Sequence, residues 1–177
     1  MDISNHCEIY LDDYRYVYLG EYDKIGYKTI ITAKDNSQIK MIDKVQVGRA
    51  GEIHACNLGK INIGTETTFC CYLYMYSEKS LVEIREQCVF SYYVKLNVGS
   101  HRLINKNEGI DVTNRKSIII GKHVWCGMGV TIMPWCQIGD ESVVGASSLV
   151  NNEIPSNCTC AGNPAKVLRK NIEWFRK

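Results

Sequence analysis

Four histidines, His6, His54, His101 and His123, are the side chains of this sequence whose ordinary titration lies near neutral pH. Such a group can take the proton from a poor nucleophile, for example a hydroxyl, as the nucleophile attacks. His101 stands apart by position. It sits at the root of RLINKNEGIDVTNRKS, residues 102–117, a polar stretch that breaks the pattern on either side of it. Trp125 follows that stretch. An indole offers a wide apolar face and one N–H, which can serve a bound acyl group or a developing oxyanion. Ser147 and Ser148 lack a G-x-S-x-G elbow, so a serine nucleophile is not supported. No two histidines are closely spaced, and the nine cysteines show neither C-x-x-C nor a zinc-type spacing. No metal is therefore expected. The cysteines read as reduced, mostly buried thiols.

The elements that must hold these groups repeat every six residues. Ile120, Cys126, Ile132, Ile138, Val144 and Val150 form one series, and Val124, Val130, Cys136, Ser142, Ser148 and Ile154 form a second. A helix repeats every 3.6 residues and a flat strand every 2, so neither fits. A short strand plus a turn, three times per coil, does. The apolar residue points into a triangular prism, and the glycine that often follows lets the chain round the corner. Stacked coils form a solenoid in which each buries its face on its neighbours. Upstream, Ile84, Phe90 and Leu96 form one triplet, Ile63, Phe69 and Met75 another, and Val47 and Ile53 part of an earlier one. Three hexads predict an 18-residue coil. Continued past Leu96, the series would need Arg102, Glu108 and Asn114 inside the prism, so residues 102–117 are expected outside it.

The chain reads as a single domain over 1–177. A tyrosine-rich N-terminal cap is expected over 1–45, coils over 46–160 and a short C-terminal helix over 161–177. In that helix Leu168, Ile172 and Phe175 would share a face. A net charge of +2 gives no case for nucleic acid, and no apolar run is long enough to span a bilayer. The N-terminus lacks the order of a signal peptide, which points to the cytoplasm.

The six-residue period, together with VGSH, HVWCGMGVTI, IGDESVVGASSLV and NEIPSNCTCAGNPAKVLRK, resembles the hexapeptide-repeat acyltransferases. Within that family the sugar and polysaccharide O-acetyltransferases are the nearest in motif. The resemblance implies a mainly β fold, the left-handed parallel β-helix, and a homotrimer that transfers an acetyl group from acetyl-CoA to a carbohydrate acceptor. It places His101 and Trp125 in catalysis. It places Trp125, Gly127, Ala146, Ser147, Asn151, Lys166 and Arg169 against CoA. Gly99 departs from relatives with Asp at that position, and Cys71 and Lys79 stand where galactoside-type relatives use Asn and Asp for the acceptor. An N-acyltransferase acting on an amino sugar nucleotide would share fold, CoA and histidine. A structural solenoid subunit would need neither the loop nor the tryptophan. The large outward side chains Trp125, Met128, Met133 and Trp135 predict three-fold packing with clefts between subunits.

Overall fold

The computed structural model describes residues 1–12, 16–99, 104–108 and 117–176. Its strands lie in three parallel sheets, the faces of a prism. The first face has nine strands, from Asp2–Ile3 to Ala165–Lys170, the second has seven, from Glu8–Leu11 to Leu149–Val150, and the third has six, from Tyr16–Tyr18 to Gln137–Ile138. Up to Leu149–Val150, consecutive strands of the chain go to successive faces, so sheet neighbours there are one coil apart. This is the expected left-handed parallel β-helix of hexapeptide repeats.

Both six-residue series point inward. Ile120, Cys126, Ile132, Ile138, Val144 and Val150 are buried, as are Val124, Val130, Cys136, Ser142, Ser148 and Ile154. Branched side chains suit such strands because they fill a pleated, enclosed surface. Phe69 and Phe90 stack inside at 4.7 Å between ring centroids. The two polar members of the second series are satisfied by backbone: Ser142 Oγ donates to Pro155 O at 2.8 Å and Ser148 Oγ to Gly145 O at 2.7 Å.

The coil length differs from the expected 18 in the N-terminal two thirds. Ile31 pairs with Ile53 and Ile53 with Met75, a step of 22 residues, whereas Cys126 pairs with Val144, a step of 18. The extra residues lengthen the second and third faces, where strands such as Glu52–Cys56 and Lys60–Ile63 run four or five residues. The hexads survive only around the first face, which is why the upstream triplets fall out of a strict 18-residue phase.

Two end assignments are corrected. The segment expected as a cap over 1–45 instead carries strands of all three faces, in register with the next coil, such as Asp2 with Lys24 and Ile9 with Ile31. Its alternating tyrosines face outward because the longer strands put the apolar partners between them inside. At the other end, the expected helix over 161–177 is a strand. Ala165–Lys170 turns back at Gly162, whose φ is 107°, and pairs antiparallel with Cys158–Gly162. It covers the edge of the first sheet, whose backbone groups would otherwise stand unpaired at the end of the stack. Leu168 and Phe175, the supposed helix face, are exposed. Among the described residues there is no helix.

The reason for the corner glycines also changes. Gly121 and Gly127 do not have positive φ. A Cβ on Gly127 would lie 2.7 Å from Ala146 N, and one on Gly121 the same distance from Asp140 N. These glycines let one coil sit on the next. The left-handed conformation falls two residues later, on residues such as His123, Glu141 and Ser147. Each non-glycine residue so placed carries roughly 1 kcal/mol of strain. Tyr22, with φ 61° and 68% exposure, gives a clean test. Tyr22→Gly is expected to raise unfolding free energy by about 1 kcal/mol, visible in a denaturant midpoint. An unchanged or lower midpoint would mean that the tyrosine packs well enough to offset the strain.

All nine cysteines are free thiols. Cys88, Cys126, Cys136, Cys158 and Cys160 are buried, and the other four are half-buried. Burial pushes the thiols of Cys88 and Cys160 up to about 12 and that of Cys136 to about 11, so these remain protonated and unreactive near neutral pH.

Candidate functional site

His101 lies outside the described residues, as do Arg102 and Asn114. The strand that leads to His101 is described. Lys95–Val98 belongs to the second face and ends with Val98 buried, on the edge where the second face meets the third. The chain re-enters the prism at Ile118–Ile120, which pairs with Val82, Glu83 and Ile84 of the preceding coil. Glu108, between the two, is exposed, in accord with a segment outside the coils.

Gly99 follows that strand directly. A Cβ there would come within 2.4 Å of Cε1 of Tyr76. Tyr76 is half-buried, in register between His54 and Asn97, and its hydroxyl lies 3.0 Å from Cys56 Sγ. Burial, then the contact with Cys56, pushes its phenol well above the usual range. The ring therefore occupies the space that a side chain at 99 would need. That is the physical reason for glycine here.

Trp125 stands on the outward side of the first face. It shares one register row with Val89, Val143, Thr159 and Arg169. Its indole N–H donates to Ser91 Oγ at 3.4 Å. Gly127 and Ala146 lie on successive coils at the adjoining corner, and Ser147 N donates to Met128 O at 2.8 Å. Lys166 pairs with Ala161, whose Cβ approaches Gly145. Six of the expected site residues, Trp125, Gly127, Ala146, Ser147, Lys166 and Arg169, are thus gathered at the C-terminal end of one face and its corner. The corner is a ledge of small residues, and Lys166 and Arg169 are exposed without a carboxylate partner among the described residues.

Asn151 is not with them. It follows Leu149–Val150 at the far side of the second face, on the edge from which the His101 segment departs. The four large outward side chains are divided in the same way. Trp125 and Met128 lie on the first face and its corner, Met133 and Trp135 on the edge between the second and third faces. In a triangular prism that edge is opposite the first face, with the core between. Gly99, the last described residue before His101, and Trp125 therefore stand on opposite sides of one chain.

The sequence reading missed what lies beside Trp125. Residues 171–176 run back across the first face. Trp174 stacks on His123 at 4.0 Å, lies 5.9 Å from Trp125 and donates from its indole N–H to His123 O at 2.8 Å. His123 Nδ1 in turn lies 2.6 Å from Glu141 Oε2. The readable signal was a tryptophan in a charged tail; helical spacing drew attention to Leu168, Ile172 and Phe175 instead. Among the described residues no three His, Cys, Asp or Glu side chains come together as a metal site, and no helix is long and apolar enough to cross a membrane.

Residues 117–152 match the family described as bacterial transferase hexapeptide (six repeats). The chain carries the bacterial transferase hexapeptide repeat. A polysialic acid O-acetyltransferase of Escherichia coli O1:K1 / APEC is 32% identical over 127 residues, which is 71% of this chain and 41% of that protein. This hexapeptide-repeat chain thus spans less than half the length of that curated relative. The crystal structure of the polySia specific acetyltransferase NeuO superposes with a TM-score of 0.74 at 24% identity, covering 99% of this chain and 82% of the other. The structure of AntD, an N-acyltransferase from Bacillus cereus in complex with dTDP and 3-hydroxybutyryl-CoA, has a TM-score of 0.50 at 17% identity, covering 95% and 78%. The two structural likenesses carry the fold.

Proposed function

We propose that the protein is an O-acetyltransferase that moves an acetyl group from acetyl-CoA to a hydroxyl of a sugar or bacterial surface polysaccharide, acting as a cytoplasmic homotrimer. The observation that carries this reading is the gathering of Trp125, the Gly127–Ala146–Ser147 ledge and the two exposed cations Lys166 and Arg169 on one outward surface. A ledge without bulky side chains admits a long narrow donor close to backbone, and paired cations suit its phosphates. The polysialic acid O-acetyltransferase relative supports a carbohydrate acceptor, and the acyl-CoA held by AntD supports this class of donor.

In the chemistry, His101 takes the acceptor hydroxyl proton as the oxygen attacks the thioester carbonyl of acetyl-CoA. The Trp125 indole N–H or a backbone N–H holds the resulting oxyanion. His101 then returns the proton to the departing thiolate, so transfer is direct and leaves no acyl-enzyme. Because the strand that leads to His101 ends on the edge opposite the Trp125 face, this reading pairs His101 of one subunit with Trp125 of its neighbour. A three-fold assembly supplies that pairing three times, and Asn151, on the His101 edge, would meet CoA across the same cleft.

Thermal protection tests the donor. A ligand bound by the native state alone at 100 times its dissociation constant stabilises it by about 2.7 kcal/mol. That amounts to a rise of several degrees in Tm for a chain of this size. Charge reversal at both Lys166 and Arg169 is expected to remove most of the rise while leaving the unliganded Tm in place. The absence of any shift with acetyl-CoA far above the micromolar range would remove acyl-CoA from the account.

A further inference from the structure

The edge between the first and second faces is built from one two-residue turn per coil, from Asn5-His6 to Ala146-Ser147. The second residue of each is left-handed, as at His6 (φ 59°), Lys28 (58°), Tyr72 (63°) and Tyr93 (62°). This uniform conformation stacks the turn side chains into a ladder with a rung about every 4.8 Å, roughly 30 Å long over seven coils. Tyr72 and Tyr93 stack at 4.7 Å and 4° from parallel, and His6 meets Tyr27 edge-on at 5.3 Å. Lys28 Nζ lies 5.5 Å from the Tyr27 centroid and the Arg49 guanidinium 5.9 Å from that of Tyr72. All of these side chains are exposed, and neither cation has a carboxylate partner among the described residues.

The charge distribution is what sets this edge apart. None of its turns holds an Asp or Glu, whereas the edge between the third and first faces carries Glu21, Asp43, Glu66, Glu86 and Glu141. In the adjoining rows Lys24 and Lys95 add positive charge. Of the three acids there, Glu8 is engaged with the Tyr10 hydroxyl at 2.5 Å and Glu52 with His54 at 3.4 Å, while Asp2 stands beside Lys24 at the N-terminal end of its row. We propose that this edge is a docking track for an acidic polysaccharide, running along the prism axis to the Gly127–Ser147 ledge. The proposal rests on the carbohydrate-acceptor reading above and specifies the acceptor as a polyanion bound over several sugars. Cations meet its carboxylates, and tyrosine edges and hydroxyls meet its alternating apolar and polar surfaces. A single-stranded nucleic acid would need free ring faces for its bases. At Tyr72 and Tyr93 the facing sides are already closed on each other.

The test is binding of fluorescent polysialic acid, polygalacturonic acid and neutral dextran to the full chain, without acetyl-CoA. Both acidic polymers are expected to bind, more tightly as they lengthen and more weakly with salt, and dextran is not. Lys28→Glu with Arg49→Glu is expected to weaken binding about 10-fold or more, with Tm, oligomeric mass and acetyl transfer to small sugars unchanged. Unchanged polymer binding by that variant would overturn the track. So would dextran binding equal to the acidic polymers, tighter binding of single-stranded DNA than of any glycan, or loss of oligomeric mass on charge reversal. Polymer binding without acetyl transfer would instead overturn the enzymatic reading and leave the track standing.

Discussion

His101→Ala is expected to lower the rate of acetyl transfer by about 100-fold or more, the scale of a general base, with little change in acetyl-CoA affinity. A sugar hydroxyl is almost wholly protonated near neutral pH, so attack needs a base within reach. An imidazole accepts a proton only when neutral, so activity of the unaltered protein should fall towards acid pH. The variant should lose that limb. Opposite placement of the His101 edge and the Trp125 face adds a second expectation. Chains carrying His101→Ala and chains carrying Trp125→Ala are each nearly inactive alone. Co-assembled, they regain activity, because some clefts then hold an intact His101 from one chain and an intact Trp125 from the other. Full activity in His101→Ala would eliminate the mechanism. Failure of co-assembly to restore any activity would eliminate the shared cleft and leave the histidine.

Gly99→Ala should lower kcat by about 10- to 100-fold, because a shift of about 1 Å in a catalytic group can cost that much. The added Cβ would lie 2.4 Å from Cε1 and 2.8 Å from Cδ1 of Tyr76. The ring cannot swing away freely, since Cys56 holds its hydroxyl and its strand is paired on both sides. The strain passes instead to the chain end that carries His101, two residues on. The KM for acetyl-CoA should stay in place, as the ledge and cations are on the other side of the prism. In a Tyr76→Ala background the same substitution should cost far less, which separates a positioning role from general damage. Equal losses in the two backgrounds, or no loss in either, would contradict this account of Gly99.

How much of this was legible follows from what each signal measures. The inward series from Ile120 to Val150 could be read because hexads there run unbroken at 18 residues per coil, and inward positions tolerate no charge. The 22-residue coils upstream were misread because their second and third faces alternate with period two, as in Ile31, Ala33, Ile39 and Met41, all buried. Short alternating strands between hexads look like noise to a six-residue template. The terminal strand was taken for a helix because three apolar residues at 3–4 spacing weigh little beside the unpaired edge of the first sheet, which no local pattern reveals. Gly99 was noticed as a departure, but its cause is a ring 23 residues earlier that meets it only once the coils stack. The separation of Trp125 from the His101 edge was equally hidden, since it depends on which face each strand joins.

Acetyl transfer itself is tested most directly by mass spectrometry of an acidic polysaccharide incubated with the protein and acetyl-CoA. The account predicts addition of whole acetyl groups that mild base removes, as it does esters, with free CoA released in equal amount. Base-stable acetylation would show an amide and hence an amino acceptor. No addition to any acidic or neutral glycan, with acetyl-CoA left intact, would contradict the assignment of this protein as a carbohydrate O-acetyltransferase.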